Sequence, residues 1–280
     1  MTFIVTLIAL LIERFFDWGH LRQWRWYAAY QHAMTRRFAG KSPYLALVLT
    51  IIPLLILVLL ISFFIKGLLY GFVTLLFELL VLIYCLGPQN LWADAFSCVN
   101  ALVQGDKQLA ADKLKSSFGI TNGSYSQSLH KHLLNDIFIE ANRRVFAVIF
   151  WYAILGPVGA VLYRTIVLSA NDTMQETTAE TSQSARLIET VLDWLPVRLF
   201  TFLFALGGHF VQVLSCWRKK VLLGLSSNEI LLTECGTAAL GQDEQGDILE
   251  DGSVEKSAVS LLDRVFVIVL VIVAIGMLLG

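Results

Sequence analysis

The sequence predicts an all-α fold: a polytopic α-helical integral membrane protein, residues 1–280 forming one membrane domain of five or six membrane segments. Three observations predict it. Of 280 residues, 56% are hydrophobic and only 15% charged, against about 45–50% apolar and about 25% charged in soluble domains. The apolar residues gather into runs near the roughly 20 residues that a helix needs to cross hydrocarbon. The basic residues alternate between the loops joining those runs, as the positive-inside rule requires.

The elements follow in order. Met1 to Ile12 is apolar, is followed by Glu13-Arg14 and has neither a basic start nor a small-residue cleavage site. It reads as an uncleaved short helix that enters or partly crosses the membrane. Pro43 to Ile65 runs 23 residues without a charge. Lys66-Gly67 turns the chain into a second span, Gly67 to Leu86, completing a helical hairpin. The loop 87–144 is partly helical through Leu109, Leu114 and Ser128 to Val145, with breaks at Gly119 and Asn122-Gly123-Ser124. Val145 to Ala170 reads as a third span, interrupted by Gly156-Pro157 and carrying Arg164. Residues 170–194 form a polar connection, rich in Thr and Ser from Asn171 to Ser184. Leu195 to Trp217 is the fourth span, with Arg198 near its start and His209 inside. The loop 218–264 opens with Arg218-Lys219-Lys220, a membrane-edge anchor, and turns acidic and glycine-rich from Gly241 to Gly252, as an exposed linker does. Phe266 to Gly280 closes the chain.

Lys and Arg number six in residues 13–42, six in 87–144 and five in 217–264, but one in 170–194. If every segment crosses, 87–144 and 218–264 are cytoplasmic loops, 170–194 is an outer loop and both termini lie outside. A net charge of −1 gives no global field for a nucleic-acid partner. The four cysteines (Cys85, Cys98, Cys216 and Cys235) contain no CxxC pair and read as isolated reduced thiols, with neither a disulfide framework nor a zinc site.

Few constellations carry chemistry. Gly40-Lys41-Ser42 lacks the earlier glycine of a phosphate-binding loop, Thr35 standing in its place. His132 and Asp136 share a helical face while His130 points elsewhere, which suits a solvated face better than a metal site. Glu78, Arg164, Arg198 and His209 lie in or beside apolar spans, where ionisable groups are expensive and mark functional cavities, structural pairs or interface-seeking side chains. Gly156-Pro157-Val158-Gly159-Ala160 breaks a helix, either to line a cavity or to let helices cross closely. The glycine-interrupted spans at 156–159 and 207–208 would also suit transport, but no inverted repeat accompanies them.

Phe150-Trp151, Leu155-Gly156-Pro157-Val158-Gly159-Ala160 and Tyr163-Arg164 resemble the core of the CobD/CbiB superfamily of membrane enzymes, which build an amide bond with ATP. Ala185-Arg186-Leu187, then Asp193, Trp194, Pro196, Val197, Arg198 and Leu199, are similar to that group's second block. Departures accompany the match. Thr165-Ile166-Val167-Leu168-Ser169 replaces a T-L-D-S-like stretch, Ile188-Glu189 replaces an acidic pair, and Glu140-Ala141-Asn142 corresponds only loosely to a Glu-Asn element. Ile12-Glu13-Arg14-Phe15, the early hairpin, Gly87-Pro88 and the block from Asn135 to Trp151 are similar to the AmpE family, a divergent branch of that superfamily, over essentially the whole chain.

The resemblance implies a bacterial inner-membrane regulator of β-lactamase induction in the setting of peptidoglycan recycling. Its expected partners are a cytoplasmic protein or a muropeptide-pathway component, besides the bilayer. The competing implication is a membrane amide ligase or transferase that retains a superfamily pocket. Glu140, Gly156, Pro157, Gly159, Tyr163, Arg164, Asp193, Pro196 and Arg198 would form that pocket, no metal ligands being assigned. The arginines would bind phosphate or carboxylate, Asp193 would position Arg198 or hold a divalent cation, and the ligand would be a nucleotide or phosphorylated metabolite with Mg.

Overall fold

The uncharged run opened by Pro43 becomes an uninterrupted helix because proline at the first helical position costs no backbone bond and no ionisable group has to be buried. It is α3 (Pro43–Ile65) in the computed structural model. The structure describes residues 2–15, 24–38, 42–66, 71–87, 91–104, 108–109, 112–113, 129–171, 179–222, 224–241 and 252–279. The other helices are α1 (Thr2–Phe15), α2 (Arg25–Arg37), α4 (Phe72–Cys85), α5 (Leu91–Val103), α6 (Leu129–Ala141), α7 (Ala147–Leu155), α8 (Pro157–Ala170), α9 (Ala179–Gly207), α10 (Phe210–Lys220), α11 (Asn228–Ala239) and α12 (Ser253–Leu279). A π-helical turn, Asn142–Phe146, joins α6 to α7. Among the described residues there is no strand, as the all-α reading expects. The expected breaks at Gly119 and 122–124, most of the polar stretch after Asn171 and most of the acidic stretch after Gly241 lie outside the described residues.

Among the described residues, three helices are long and apolar enough to cross a membrane: Pro43–Ile65, Glu180–Gly207 and Ser253–Gly276. Shorter apolar helices run over Phe3–Glu13, Phe72–Cys85 and Pro157–Ala170. Phe63 and Phe64 of α3 are 68% and 73% exposed, a surface that lipid rather than water would cover.

The segment limits differ from the sequence reading in three places. Residues 179–194, read as part of a polar connection, are the first half of α9; Glu189 and Asp193 are buried there while Glu180 and Arg186 stay exposed. The span read as Leu195 to Trp217 stops at Gly207, and α10 starts anew at Phe210. The chain breaks because Gly208 lies against α11, where a Cβ would stand 2.4 Å from the Ala239 carbonyl oxygen. The His209 amide then donates to that same oxygen. The last helix begins at Ser253 rather than Phe266, with Glu255 and Asp263 engaged by side chains described below.

The chain divides into two compact units, each built from separated stretches. Unit one comprises Met1–Pro88 and Ala147–Asp193; unit two comprises Gln89–Phe146 and Trp194–Gly280. In unit one α1 lies against α4, and α3 and α4 both pack on α8. Leu47 and Ile51 of α3 meet Ile166 and Ala170 of α8 and Ala185 of α9 in a buried cluster. In unit two α6 is central, contacting α5, α11 and α12. An aromatic core runs through Phe138, Phe204, Phe200 and Phe146, with Phe266 beside Phe200.

Candidate functional site

Unit one gathers ionisable groups inside an apolar helical layer. Gly156 has φ +64° and ψ −152°, a conformation essentially restricted to glycine. Pro157 follows at the first position of α8 and needs no amide partner there. Gly159 lets the two helices meet, since a Cβ there would stand 2.2 Å from the Trp151 carbonyl oxygen. The expected third span is therefore two short helices joined at a break. The break gives α8 its own direction, and α8 carries Tyr163 and Arg164 into the interior, 0% and 3% exposed.

From α9, Asp193 accepts a hydrogen bond of 2.7 Å from the Tyr163 hydroxyl. Glu189 lies one turn earlier on the same face, 4% exposed, and Glu13 of α1 is buried at 1%. Glu189 was absent from the sequence-derived set, although Ile188-Glu189 keeps a carboxylate in the second place of the acidic pair. Its i,i+4 spacing to Asp193 was the available signal. Arg186, in the block Ala185-Arg186-Leu187, donates through Nε to the Ala170 carbonyl at 3.1 Å, and Ser182 donates to the same oxygen. These bonds close the C-terminus of α8, where backbone acceptors lack helical partners. Glu78 of α4 accepts a hydrogen bond of 2.9 Å from Tyr152, which explains how a carboxylate is held in that apolar helix.

Arg198 has a different environment, in unit two. Its Nε donates to the Val221 carbonyl at 2.8 Å, and its Nη1 donates to the Trp194 carbonyl at 2.8 Å and to Asn228 Oδ1 at 3.0 Å. The guanidinium stacks 4.2 Å from the Trp194 ring centre, and Trp217 Nε1 donates to the Arg198 carbonyl. Arg198 thus grips the turn between α10 and α11. Asp193 and Arg198 are five residues apart on one helix, hence about 140° apart around its axis. Asp193 is bonded by Tyr163, and Arg198 is bonded to the α10–α11 turn. Pro196 lies inside α9 between them.

Glu140 forms a third group, also in unit two. Its Oε2 accepts from Arg144 Nε at 2.6 Å, while Arg144 Nη1 donates to Asp94 at 3.1 Å. Burial opposes the Arg144 charge, but these two carboxylates hold its pKa above the ordinary value. Arg143 donates to Glu229 at 3.2 Å. His130, read as part of a solvated face, lies 2.6 Å from Glu255, a carboxylate that is 0% exposed. Trp92 Nε1 donates to Asp263 at 2.7 Å. Among the described residues no group of three His, Cys, Asp or Glu side chains could hold a metal ion.

The sequence-derived residues therefore fall into a unit-one group (Gly156, Pro157, Gly159, Tyr163, Arg164, Asp193), in which Tyr163 and Asp193 are bonded, a helix-turn clamp at Arg198 and an ion-pair group at Glu140. The unit-one arrangement of phenol, guanidinium and carboxylates is able to bind a polar group or exchange protons in an apolar surrounding.

Comparison with known proteins adds the following. A family model described as "Regulatory signalling modulator protein AmpE" matches residues 1–280. A protein named AmpE from Shigella flexneri is 27% identical over 284 residues, covering 98% of this chain and 97% of that protein. Cobalamin biosynthesis protein CobD of Chromobacterium violaceum is 27% identical over 166 residues, covering 58% of this chain and 53% of that protein. CobD of Stutzerimonas stutzeri is 27% identical over 167 residues, 59% and 55% of the two chains. The match thus spans about half the length of the CobD relatives. No solved structure matches.

Proposed function

This chain belongs to the AmpE family, and from that premise we propose that it modulates β-lactamase induction from the bacterial inner membrane, in the setting of peptidoglycan recycling. The observation that carries the reading is the match along the whole chain, both to the family model and to the Shigella flexneri relative. Helices long enough to span a bilayer supply the setting. A cytoplasmic protein or a muropeptide-pathway component is the proposed partner, met by the loops 87–144 and 218–264 on the cytoplasmic side. Deleting the coding sequence should change the β-lactamase induction curve under a β-lactam challenge and leave cobinamide metabolism unchanged. An induction curve identical to the parent strain's would count against the proposal. Cysteine labelling near residues 120 and 240 should report one side and labelling near 178 the other; a common side for all three would overturn the orientation.

The second reading is a membrane amide ligase or transferase with a retained phosphate-binding pocket. The partial CobD matches and the buried Tyr163, Arg164 and Asp193 favour it. Arg164, buried in α8 at 3% exposure, is the guanidinium to test. Purified protein that neither binds nor turns over a nucleotide or phosphorylated metabolite would sink this reading.

A further inference from the structure

Cys216 and Cys235 are separated in sequence by the end of α10, a turn and the first half of α11. The two helices pack against each other in an antiparallel register. The His209 amide reaches the Ala239 carbonyl at one end, and Lys220 pairs with Glu234 toward the other. Between these ties the sulfurs of Cys216 and Cys235 lie 3.1 Å apart, closer than two sulfurs in ordinary van der Waals contact. All four cysteines are free thiols, as the sequence reading expects, but Cys216 and Cys235 are neighbours rather than isolated. A 3.6-residue period on each helix puts the two cysteines on the facing sides of a hairpin that the sequence alone does not show.

We infer that Cys216 and Cys235 form a reversible redox pair, a modification site converted to an intramolecular disulfide by low-molecular-weight disulfides such as oxidised glutathione. Cys216 is half-buried while Cys235 is 0% exposed, so Cys216 meets the small reagent first. Sharing a proton with Cys216, followed by burial, pushes the Cys235 thiol up, against the opposing charge of Lys220. That keeps Cys235 as the resolving thiol rather than the initial nucleophile. The Cys216 thiolate attacks one sulfur of the small disulfide and expels a small thiolate, which takes up a proton. Cys235 then loses its proton and attacks the Cys216 sulfur of the mixed disulfide, expelling the second small thiol. Two protein thiols and one small disulfide become one protein disulfide and two small thiols. Two electrons pass to the reagent and no other reactant is needed.

Selectivity follows from placement. Cys85 and Cys98 are 0% exposed, and burial followed by the Asp94 charge pushes the Cys98 thiol up to about 11. The new bond would tie α10 to α11 beside the turn gripped by Arg198, making that hairpin responsive to thiol–disulfide balance.

The full-length protein in detergent micelles should be equilibrated across ratios of reduced to oxidised glutathione, quenched with iodoacetamide under denaturing conditions and weighed intact. As the buffer becomes oxidising, alkylatable cysteines should fall from four to two in one step. The unalkylated mass should drop by two hydrogens, digestion should link the Cys216 and Cys235 peptides, and dithiothreitol should reverse all three changes. C235S should stop at a glutathione adduct on Cys216. Four alkylatable thiols in fully oxidised glutathione, or a linkage that omits either residue, would overturn the inference. The wild-type measurement needs no variant, so a misfolded mutant cannot obscure it.

Discussion

Tyr163 and Asp193 show what a buried polar contact costs to lose. Tyr163→Phe removes the donor and keeps the ring, leaving a carboxylate that is 7% exposed with one hydrogen bond fewer. A hydrogen bond to a charged group contributes about 1.5–3 kcal/mol, so thermal unfolding in micelles should show a clear loss of stability. A melting temperature equal to wild type would mean that this bond is not formed in the folded protein. Asp136 of α6 makes the pH-dependent case. Burial, then the neighbouring Glu140, raises its carboxyl from 3.8 to about 7 against the opposing charge of Arg143. The folded state then binds more protons than the unfolded state between these values, so the contribution is full below about pH 4 and is lost as pH rises to about 7. Asp136→Asn should flatten that part of the stability profile; an unchanged slope would assign it to another group. Tyr163, Arg164, Asp193 and Arg198 were legible as candidates through the resemblance, but their partners were not. Arg198 depends on Val221 and Asn228 across a helix and a turn, and His130 reaches Glu255 across 125 positions. Periodicity carries no information at such separations.

At the element scale, the break between α7 and α8 was legible because it rests on local chemistry: a glycine-only conformation next to a residue without an amide proton. Gly156→Ala meets no atom within 4 Å, so its cost is conformational, about 1–3 kcal/mol. Gly159→Ala adds a clash with backbone and should cost more. Paired chemical denaturation of the two variants tests this order, and the reverse order would contradict the described helix junction. The long α9 was not legible as one helix. Glu180, Arg186, Glu189 and Asp193 interrupt the apolar pattern of its first half, and a reading keyed to charge-free runs starts the helix at Leu195. Burial of Glu189 and Asp193 beside α8 removes that objection only after the fold is assembled. The same reasoning explains the early start of α12, where His130 lies against Glu255 and Trp92 bonds to Asp263.

For the whole molecule, composition and run length were enough for the membrane-protein class, because the bilayer imposes one strong constraint on any helix that crosses it. The division into two units was hidden, since each is assembled from two separated stretches. The match along the whole chain and the buried Tyr163–Asp193 bond of unit one support a further proposal, that the regulatory role depends on this bond. The most direct measurement restores a deletion strain with either the wild-type sequence or Asp193→Asn, verifies equal amounts in the membrane fraction, and records β-lactamase activity over a β-lactam dose series. Wild type should restore the parental induction curve and Asp193→Asn should not. Full restoration by Asp193→Asn at equal membrane abundance would contradict the proposal.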